Sequence, residues 1–229
     1  MNKLVKNLKP SKLSARARVA YELHKRVPAD WYETSVKDNL FQRFWHWRRR
    51  ENVGKFVHNL SGNVLDIGSC DGYFTHDVLK RSQATHITGI DVLEHAVAYA
   101  KKRYARVKKL SFQYGEAHAL PFKKGTFDNI MCLEALEHVE DPRIVLKEMK
   151  RVLKKNGSIY VLIPAENMLF KIIWPIWTLW RGKIWKGSHL HQYEKDQVLT
   201  YMRDAGFEID VNHRFLANML QFVIAHKVS

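Results

Sequence analysis

The chain has 229 residues, 46% hydrophobic and 27% charged, which allows one substantial domain with its own core and excludes wholesale disorder. Thirty-eight Lys and Arg stand against 23 Asp and Glu, and the net charge of +15 favours an anionic partner, either nucleic acid or an acidic membrane surface. Two cysteines, Cys70 and Cys132, cannot build a disulfide framework, MNKLVKNLKPSKL lacks the apolar run of a secretory signal, and no stretch reaches the ~18–20 apolar residues of a spanning helix.

The charge is unevenly spread. Residues 1–58 hold fourteen Lys/Arg and five Asp/Glu, whereas 59–166 hold sixteen and thirteen and 167–229 hold eight and five. Boundaries near Leu60-Ser61-Gly62 and near Pro164 give a basic helical extension or lid over residues 1–60, then a domain over 61–229 with a Trp-rich insertion at 166–188. In the extension, Ser14 is placed to cap a helix through Val27, ended by Pro28, with Ala17, Val19, Ala20 and Leu23 as its apolar positions. A second helix is expected from about Val36 to Asn59, because Val36, Leu40, Phe41, Phe44, Trp45, Phe56, Val57 and Leu60 recur at three- and four-residue steps. Within it, FWHWRRREN (44–52) interleaves aromatics with three arginines. Two readings stay open: a core-facing stripe with a solvated basic side, or a lid whose arginines meet a ligand's carboxylate or phosphate.

From Asn63 the pattern changes to short apolar strands alternating with helices. Strands are predicted at Asn63–Ile67, His86–Asp91, Leu110–Tyr114, Phe127–Cys132 and Ser158–Ile163, rich in Val, Ile and Leu as strands buried on both faces must be. Helices are predicted at Tyr73–Arg81, Glu94–Ala105 and Pro142–Lys154, the last stopping at the basic run Lys154-Lys155-Asn156-Gly157. The alternation implies right-handed crossovers and a doubly wound parallel sheet, whose ligands bind beyond the C-terminal strand ends.

Three successive strand ends carry suitable groups. After the first, Asp66-Ile-Gly68-Ser-Cys70-Asp71-Gly72 lets the backbone turn and approach a ligand at its glycines, but the spacing is not the GxGxxG of a pyrophosphate seat. After the second, Asp91 is placed to accept from ribose hydroxyls. After the third, Glu116 is placed to accept from an adenine amino group, with Val92 and Ala117 flanking the ring. Each alone is an N-cap, a turn glycine or a solvated acid; together they point to a nucleoside-bearing cofactor.

The motifs VLDIGSCDGYF, GIDVLEHAVAYAKKR, GEAHALPFKKGTFDNIMCLEALEHVEDP and LKEMKRVLKKNGSIYVLIP resemble those of class I S-adenosylmethionine-dependent methyltransferases, in the subgroup acting on small molecules, quinones and lipids. The likeness runs over about residues 62–164, and HLHQYEKDQVLTYMRDAGFEI (189–209) is similar to the region before that family's sixth strand. It implies a Rossmann-like, seven-stranded, mostly parallel α/β sheet with an N-terminal helical extension, the last strands at Phe207–Val211 and Asn218–His226. It implies S-adenosyl-L-methionine as cofactor: Asp66, Gly68 and Gly72 holding the aminoacyl part, with Cys70 where the family usually has Gly. Asp91 would hold the ribose, Glu116 and Ala117 the adenine, and Leu133 would line the sulfonium end.

Methyl transfer from a sulfonium needs mainly alignment, and a base only where the nucleophile carries a proton. Candidate bases follow the fourth strand: Glu134, Glu137 and His138. His189, His191 and Tyr193 form a second cluster expected to face the cofactor across the cleft. A metal reading of His189 and His191 lacks a third ligand, so no metal is expected. The Asn- or Asp-Pro-Pro-aromatic motif of nucleic-acid amino methyltransferases and the Pro-Cys of cytosine-C5 enzymes are both missing. MLFKIIWPIWTLWRGKIWKG (168–187) holds four of the seven tryptophans, Trp174, Trp177, Trp180 and Trp185, with Lys171, Arg181, Lys183 and Lys186 around a short uncharged run. That is the composition of an interfacial anchor, or of a cap over the domain's own core or a dimer contact. The sequence therefore points to a cytoplasmic methyltransferase, peripheral at the inner membrane face, with a small apolar or lipid-linked acceptor and contact with anionic membrane. The alternatives are an RNA methyltransferase using the basic helices, with nucleic acid the less favoured partner, and a non-catalytic cofactor-binding module.

Overall fold

Alternating apolar runs and amphipathic helices bury both faces of one sheet in the computed structural model, which describes residues 13–38, 40–165, 167–180, 185, 187–191, 193 and 196–228. The strands are β1 (Ser61–Ile67), β2 (Gln83–Asp91), β3 (Leu110–Tyr114), β4 (Phe127–Leu133), β5 (Leu153–Pro164), β6 (Phe207–Phe215) and β7 (Leu220–Lys227). Their order across the sheet is β3-β2-β1-β4-β5-β7-β6, with β7 antiparallel to both neighbours and the other pairs parallel. The seven-stranded, mostly parallel Rossmann-like arrangement is the one the motifs led us to expect.

Neighbouring residues on the central strands serve opposite faces, as the two-residue strand period requires. Leu65, Ile130 and Val161 join Val145, Leu146 and Met149 of α6 (Pro142–Val152) and Val198 and Met202 of α8 (Gln197–Asp204). Val64, Met131 and Leu162 join Val78 of α4 (Tyr73–Arg81), Val97 and Ala100 of α5 (Glu94–Arg103), and Val53 and Val57 of α3 (Leu40–Val57). The C-terminal half of the extension's longest helix is thus part of the main core.

The N-terminal helices depart from expectation in one respect. Ser14 does cap α1 (Ala15–His24), its Oγ accepting from Ala17 N at 3.2 Å. The single helix expected from Val36 is instead two, α2 (Trp31–Asp38) and α3. Ser35 of α2 and His46 of α3 meet through their side chains at 3.3 Å, which holds the pair together. The expected apolar stripe divides as well: Val57 and Leu60 are buried, whereas Leu40 and Phe44 are exposed; the side chain of Phe41 lies outside the described residues.

The end of α6 also differs. The helix stops at Val152, and Lys154–Gly157 belong to β5 rather than to a helix end. Fully buried Leu153 pairs with Phe127 of β4, Lys154 Nζ donates to Asp128 Oδ1 at 2.7 Å, and a Cβ on Gly157 would stand 2.5 Å from Asp128 O. Strand pairing and burial outweigh the basic-run stop signal.

Leu60, at the expected domain boundary, is 0% exposed and packs with Val53, Val57 and Val64. We predict that Leu60→Ala lowers stability by about 2–5 kcal/mol in urea unfolding monitored by circular dichroism. A loss below about 1 kcal/mol would show that the extension packs independently of the sheet.

Candidate active site

The C-terminal ends of β1, β2 and β3 build one wall of a half-open chamber. Gly68 N and Ser69 N donate to Ile90 O at 2.9 and 3.0 Å, folding the β1 loop back across β2. Gly68 has φ +78°, and a Cβ there would lie 2.4 Å from the Ala135 Cβ, so only glycine fits. Cys70 takes a left-handed conformation (φ +44°) that aims its N–H at Asp91 Oδ2, 2.9 Å away, while Leu93 N donates to Asp91 Oδ1 at 2.8 Å. Two backbone donors thus orient a buried carboxylate at the chamber wall, and burial still pushes its pKa up.

Of the residues expected to hold a cofactor, Gly68, Cys70, Asp91, Val92 and Ala117 line this chamber. The other four are not among its lining residues. Asp66 is turned toward Thr75, whose Oγ1 donates to it at 2.6 Å. Gly72 (φ +76°) precedes α4 beneath Phe112, where a Cβ would meet the ring at 2.6 Å, so its work is to let helix and sheet approach. Glu116 Oε2 accepts from Ser14 N and Ser14 Oγ at 3.0 and 2.8 Å, tying the start of α1 to the end of β3. Leu133 packs against the core. The roof is Ala17, Ala20 and His24 of α1, together with Val27, whose carbonyl meets His95 Nε2 at 2.8 Å.

A second chamber opens between α2, α3 and α7 (Met168–Trp180). Trp31, Trp45, Phe170, Ile173, Trp174 and Trp177 make most of it apolar; Gln42, His46, Arg49, Glu137 and His189 make one end polar. The two chambers share Tyr32, Glu134, His138 and Trp185, which is where a group held in one meets a group held in the other. Of the three consecutive arginines of α3, two face protein carboxylates. Arg49, 3% exposed, is ion-paired with Glu134 and lies 3.7 Å above the Phe74 ring. Burial lowers its pKa to about 10, against the pull of Tyr32, Glu137 and Asp71, so it stays charged at neutral pH. Arg50 is held by Asp77 and Arg48 lies over Trp47. Glu134 itself takes φ +53° on leaving β4, a left-handed turn that points its carboxylate at Arg49.

His138, a candidate base from its position after the fourth strand, lies at the junction. Its Nδ1–H donates to Ser188 O at 2.8 Å, which leaves Nε2 with the lone pair. Burial, with His24 and His189 nearby, holds its pKa well below the usual histidine range, so it is a neutral acceptor. The expected second cluster separates. His189 lines the aromatic chamber, stacked on Trp174 at 4.5 Å, whereas His191 donates to Glu140 O outside it and Tyr193 is buried, donating to Leu136 O. Sequence reading missed Tyr32, His24 and Gln42, because their approach depends on how α1–α3 fold over the sheet. Trp174 and Trp177 turn inward to the chamber, and the outward face of α7 carries Met168, Ile172, Ile176 and Leu179 instead. The Trp180 side chain and residues 181–184 and 186 lie outside the described residues.

A methyltransferase-domain family model matches residues 65–161. The demethylmenaquinone methyltransferase of Staphylococcus aureus is 30% identical over 173 residues, covering 70% of this chain and 69% of that one. That of Thermotoga maritima is 27% identical over 188 residues, covering 75% and 80%. The magnesium protoporphyrin IX methyltransferase of Synechocystis, solved with bound S-adenosylhomocysteine, superposes with a TM-score of 0.71 at 17% identity over 92% of this chain and 99% of that one. The chain belongs to the class I S-adenosylmethionine-dependent methyltransferases, and S-adenosylmethionine is its cofactor. The first chamber suits that group, with a backbone cradle at Gly68 that any side chain would fill and a buried, oriented carboxylate at Asp91. Among the described residues no helix is long and apolar enough to cross a membrane.

Burial raises the pKa of Asp66 from 3.8 to about 7, opposed by the Thr75 hydrogen bond. Between those values the folded state holds a proton that the unfolded chain has released, so this group costs stability as pH rises from about 4 to 7. We predict that Asp66→Asn removes a decline of roughly 4 kcal/mol over that window, read from urea melts at each pH. A pH slope identical to wild type would show that Asp66 ionises normally.

Proposed function

We propose that the enzyme methylates an apolar, ring-bearing acceptor of the quinol type that carries an isoprenoid or acyl tail and is drawn from the cytoplasmic face of an anionic membrane. The observation that carries this reading is the pair of chambers meeting at Tyr32, Glu134, His138 and Trp185, the second of them walled by aromatic rings. Relatives at 27% and 30% identity are demethylmenaquinone methyltransferases, which supports a quinol-like ring.

S-adenosylmethionine supplies an activated methyl carbon and its own leaving group. Asp91 would hold the ribose, Val92 and Ala117 the adenine faces, and the Gly68–Cys70 loop the aminoacyl end. The acceptor ring would lie among Trp31, Trp45, Trp174 and Trp177 with its reacting oxygen or carbon toward the junction. There, His138 Nε2 would accept the proton displaced when the new bond to the methyl carbon forms.

The outer faces of the chamber's walls support delivery from a lipid surface. Met168, Ile172, Ile176 and Leu179 on α7 and Leu40, Phe44 and Trp47 on α3 are all at least half exposed, and Arg43 stands among the latter. Two apolar stripes on the helices that flank one apolar chamber form a surface suited to shallow insertion beside anionic headgroups.

The test supplies labelled S-adenosylmethionine, anionic vesicles containing a prenylated quinol, and transfer RNA as competing acceptor. Label in the quinol and co-sedimentation of the protein with the vesicles are expected. Serine at Ile172, Ile176 and Leu179 should abolish co-sedimentation while a short-tailed quinol is still methylated in solution. Asp91→Ala should eliminate cofactor binding in calorimetry, and His138→Ala should lower turnover by about 10²–10⁴-fold. Label in RNA with none in any quinol would refute the reading.

A further inference from the structure

We infer that Glu137, His138 and His189 form a binding site for a divalent transition-metal ion of the zinc, iron(II) or cobalt(II) kind, at the polar end of the aromatic chamber. One ligand atom from each of the three lies within 4.8 Å of the others. Around an ion with bonds of about 2.0–2.2 Å, such atoms stand roughly 3–4 Å apart, so small side-chain rotations close the set. Glu137 and His138 come from the 3₁₀ turn at residues 136–138, and His189 from the segment after α7, which the Leu190 N and His191 N bonds to Glu137 O fasten to that turn at 2.9 and 3.3 Å.

The ligand orientation is already set. The Nδ1–H of His138 donates to Ser188 O, which fixes the ring and presents Nε2, 3.9 Å from Glu137 Oε1. A backbone carbonyl on the outer nitrogen is the usual second partner of a metal-bound imidazole. His24 of α1 repeats the device: its Nδ1–H donates to Ala20 O at 2.8 Å, and its buried Nε2 has no hydrogen-bond partner among the described residues. Its ring centroid is 4.5 Å from that of His138, so it stands beside the three as a fourth nitrogen.

The donor chemistry narrows the ion. Two imidazoles and one carboxylate favour zinc-like ions over magnesium or calcium, which prefer oxygen throughout. Three protein ligands leave a coordination position, and Glu137, His138 and His189 all line the aromatic chamber. With the ion bound, His138 Nε2 is a ligand and not the proton acceptor; the ion would hold an acceptor oxygen and lower its pKa so that the proton leaves to solvent, a role that rests on the acceptor reading above, whereas ion binding itself does not. The sequence pairing of His189 with His191 would not make this site, since His191 is bonded to Glu140 O and stacked on Tyr193.

Two tryptophans report on the site: Trp174 is 4.5 Å from His189 and Trp185 is 6.1 Å from His138, centroid to centroid. The test titrates chelator-stripped full-length protein with cobalt(II), following visible absorption, tryptophan fluorescence and equilibrium dialysis. One ion per chain is expected, with quenching in step with the absorption band and competition by zinc. His189→Ala and Glu137→Gln should each weaken binding at least tenfold, and His191→Ala should bind as wild type does. Calorimetry with S-adenosylhomocysteine and a thermal melt check that each variant is folded. No stoichiometric binding by the wild type, or unchanged binding by folded His189→Ala, would overturn the proposal. Quinol methylation by the metal-free enzyme at the full rate would leave the acceptor reading standing and remove the ion from the reaction.

Discussion

A guanidinium taken out of water needs an anion beside it, and the ion pair between Arg49 and Glu134 meets that need at the centre of the molecule. One partner sits on α3 and the other in a left-handed turn at the end of β4, so the pair fixes the extension over the C-terminal edge of the sheet. Removing Glu134 would leave the buried Arg49 guanidinium to Glu137 and Asp71, and removing Arg49 would leave Glu134 without that cation, so either change destabilises the junction. Because Glu134 borders both chambers and Arg49 only the aromatic one, the pair stands in the wall where cofactor and acceptor approach each other. Phe74 under the guanidinium and Tyr32 beside it complete that wall, which is why α2, α3 and α4 converge there.

The same constraint gives the basic extension a different meaning from the one its charge implied. Arg49 and Arg50 neutralise Glu134 and Asp77, Arg16 pairs with Glu140, and Ser14 holds Glu116. Arg16, Arg49, Arg50 and Ser14 thus bond the described part of the extension into the catalytic domain. Its apolar exposures, Leu40, Phe44 and Trp47, adjoin the chamber it helps to close.

The sheet was legible because its evidence is local. Tyr73–Arg81 and Leu110–Tyr114 match to the residue, since helical periodicity and the apolar–polar alternation of LSFQY are properties of adjacent positions. The Asp66–Gly72 loop and Asp91 were legible for the same reason, as they lie at strand ends. What each residue faces there was less legible: Asp66 turns to Thr75 and Gly72 to Phe112, because loop residues two apart can point to opposite sides of a helix–sheet junction. The aromatic chamber was legible only as composition. Trp174 and Trp177 signalled it, but their inward turn and the outward turn of Ile172 and Ile176 follow from how α7 stands across the chamber from α3. The meeting of His24, His138 and His189 carries no sequence signal, since it depends on two chain segments arriving at a single 3₁₀ turn.

The division of labour between two adjoining chambers is the central claim, and a crystal structure of the full chain with S-adenosylhomocysteine tests it most directly. The account predicts the ribose on Asp91, the adenine between Val92 and Ala117, and the sulfur at the junction of Tyr32, Glu134 and His138, directed into the aromatic chamber. A ligand bound with its sulfur facing away from that chamber, or sealed from it by α2 and α3, would contradict the account.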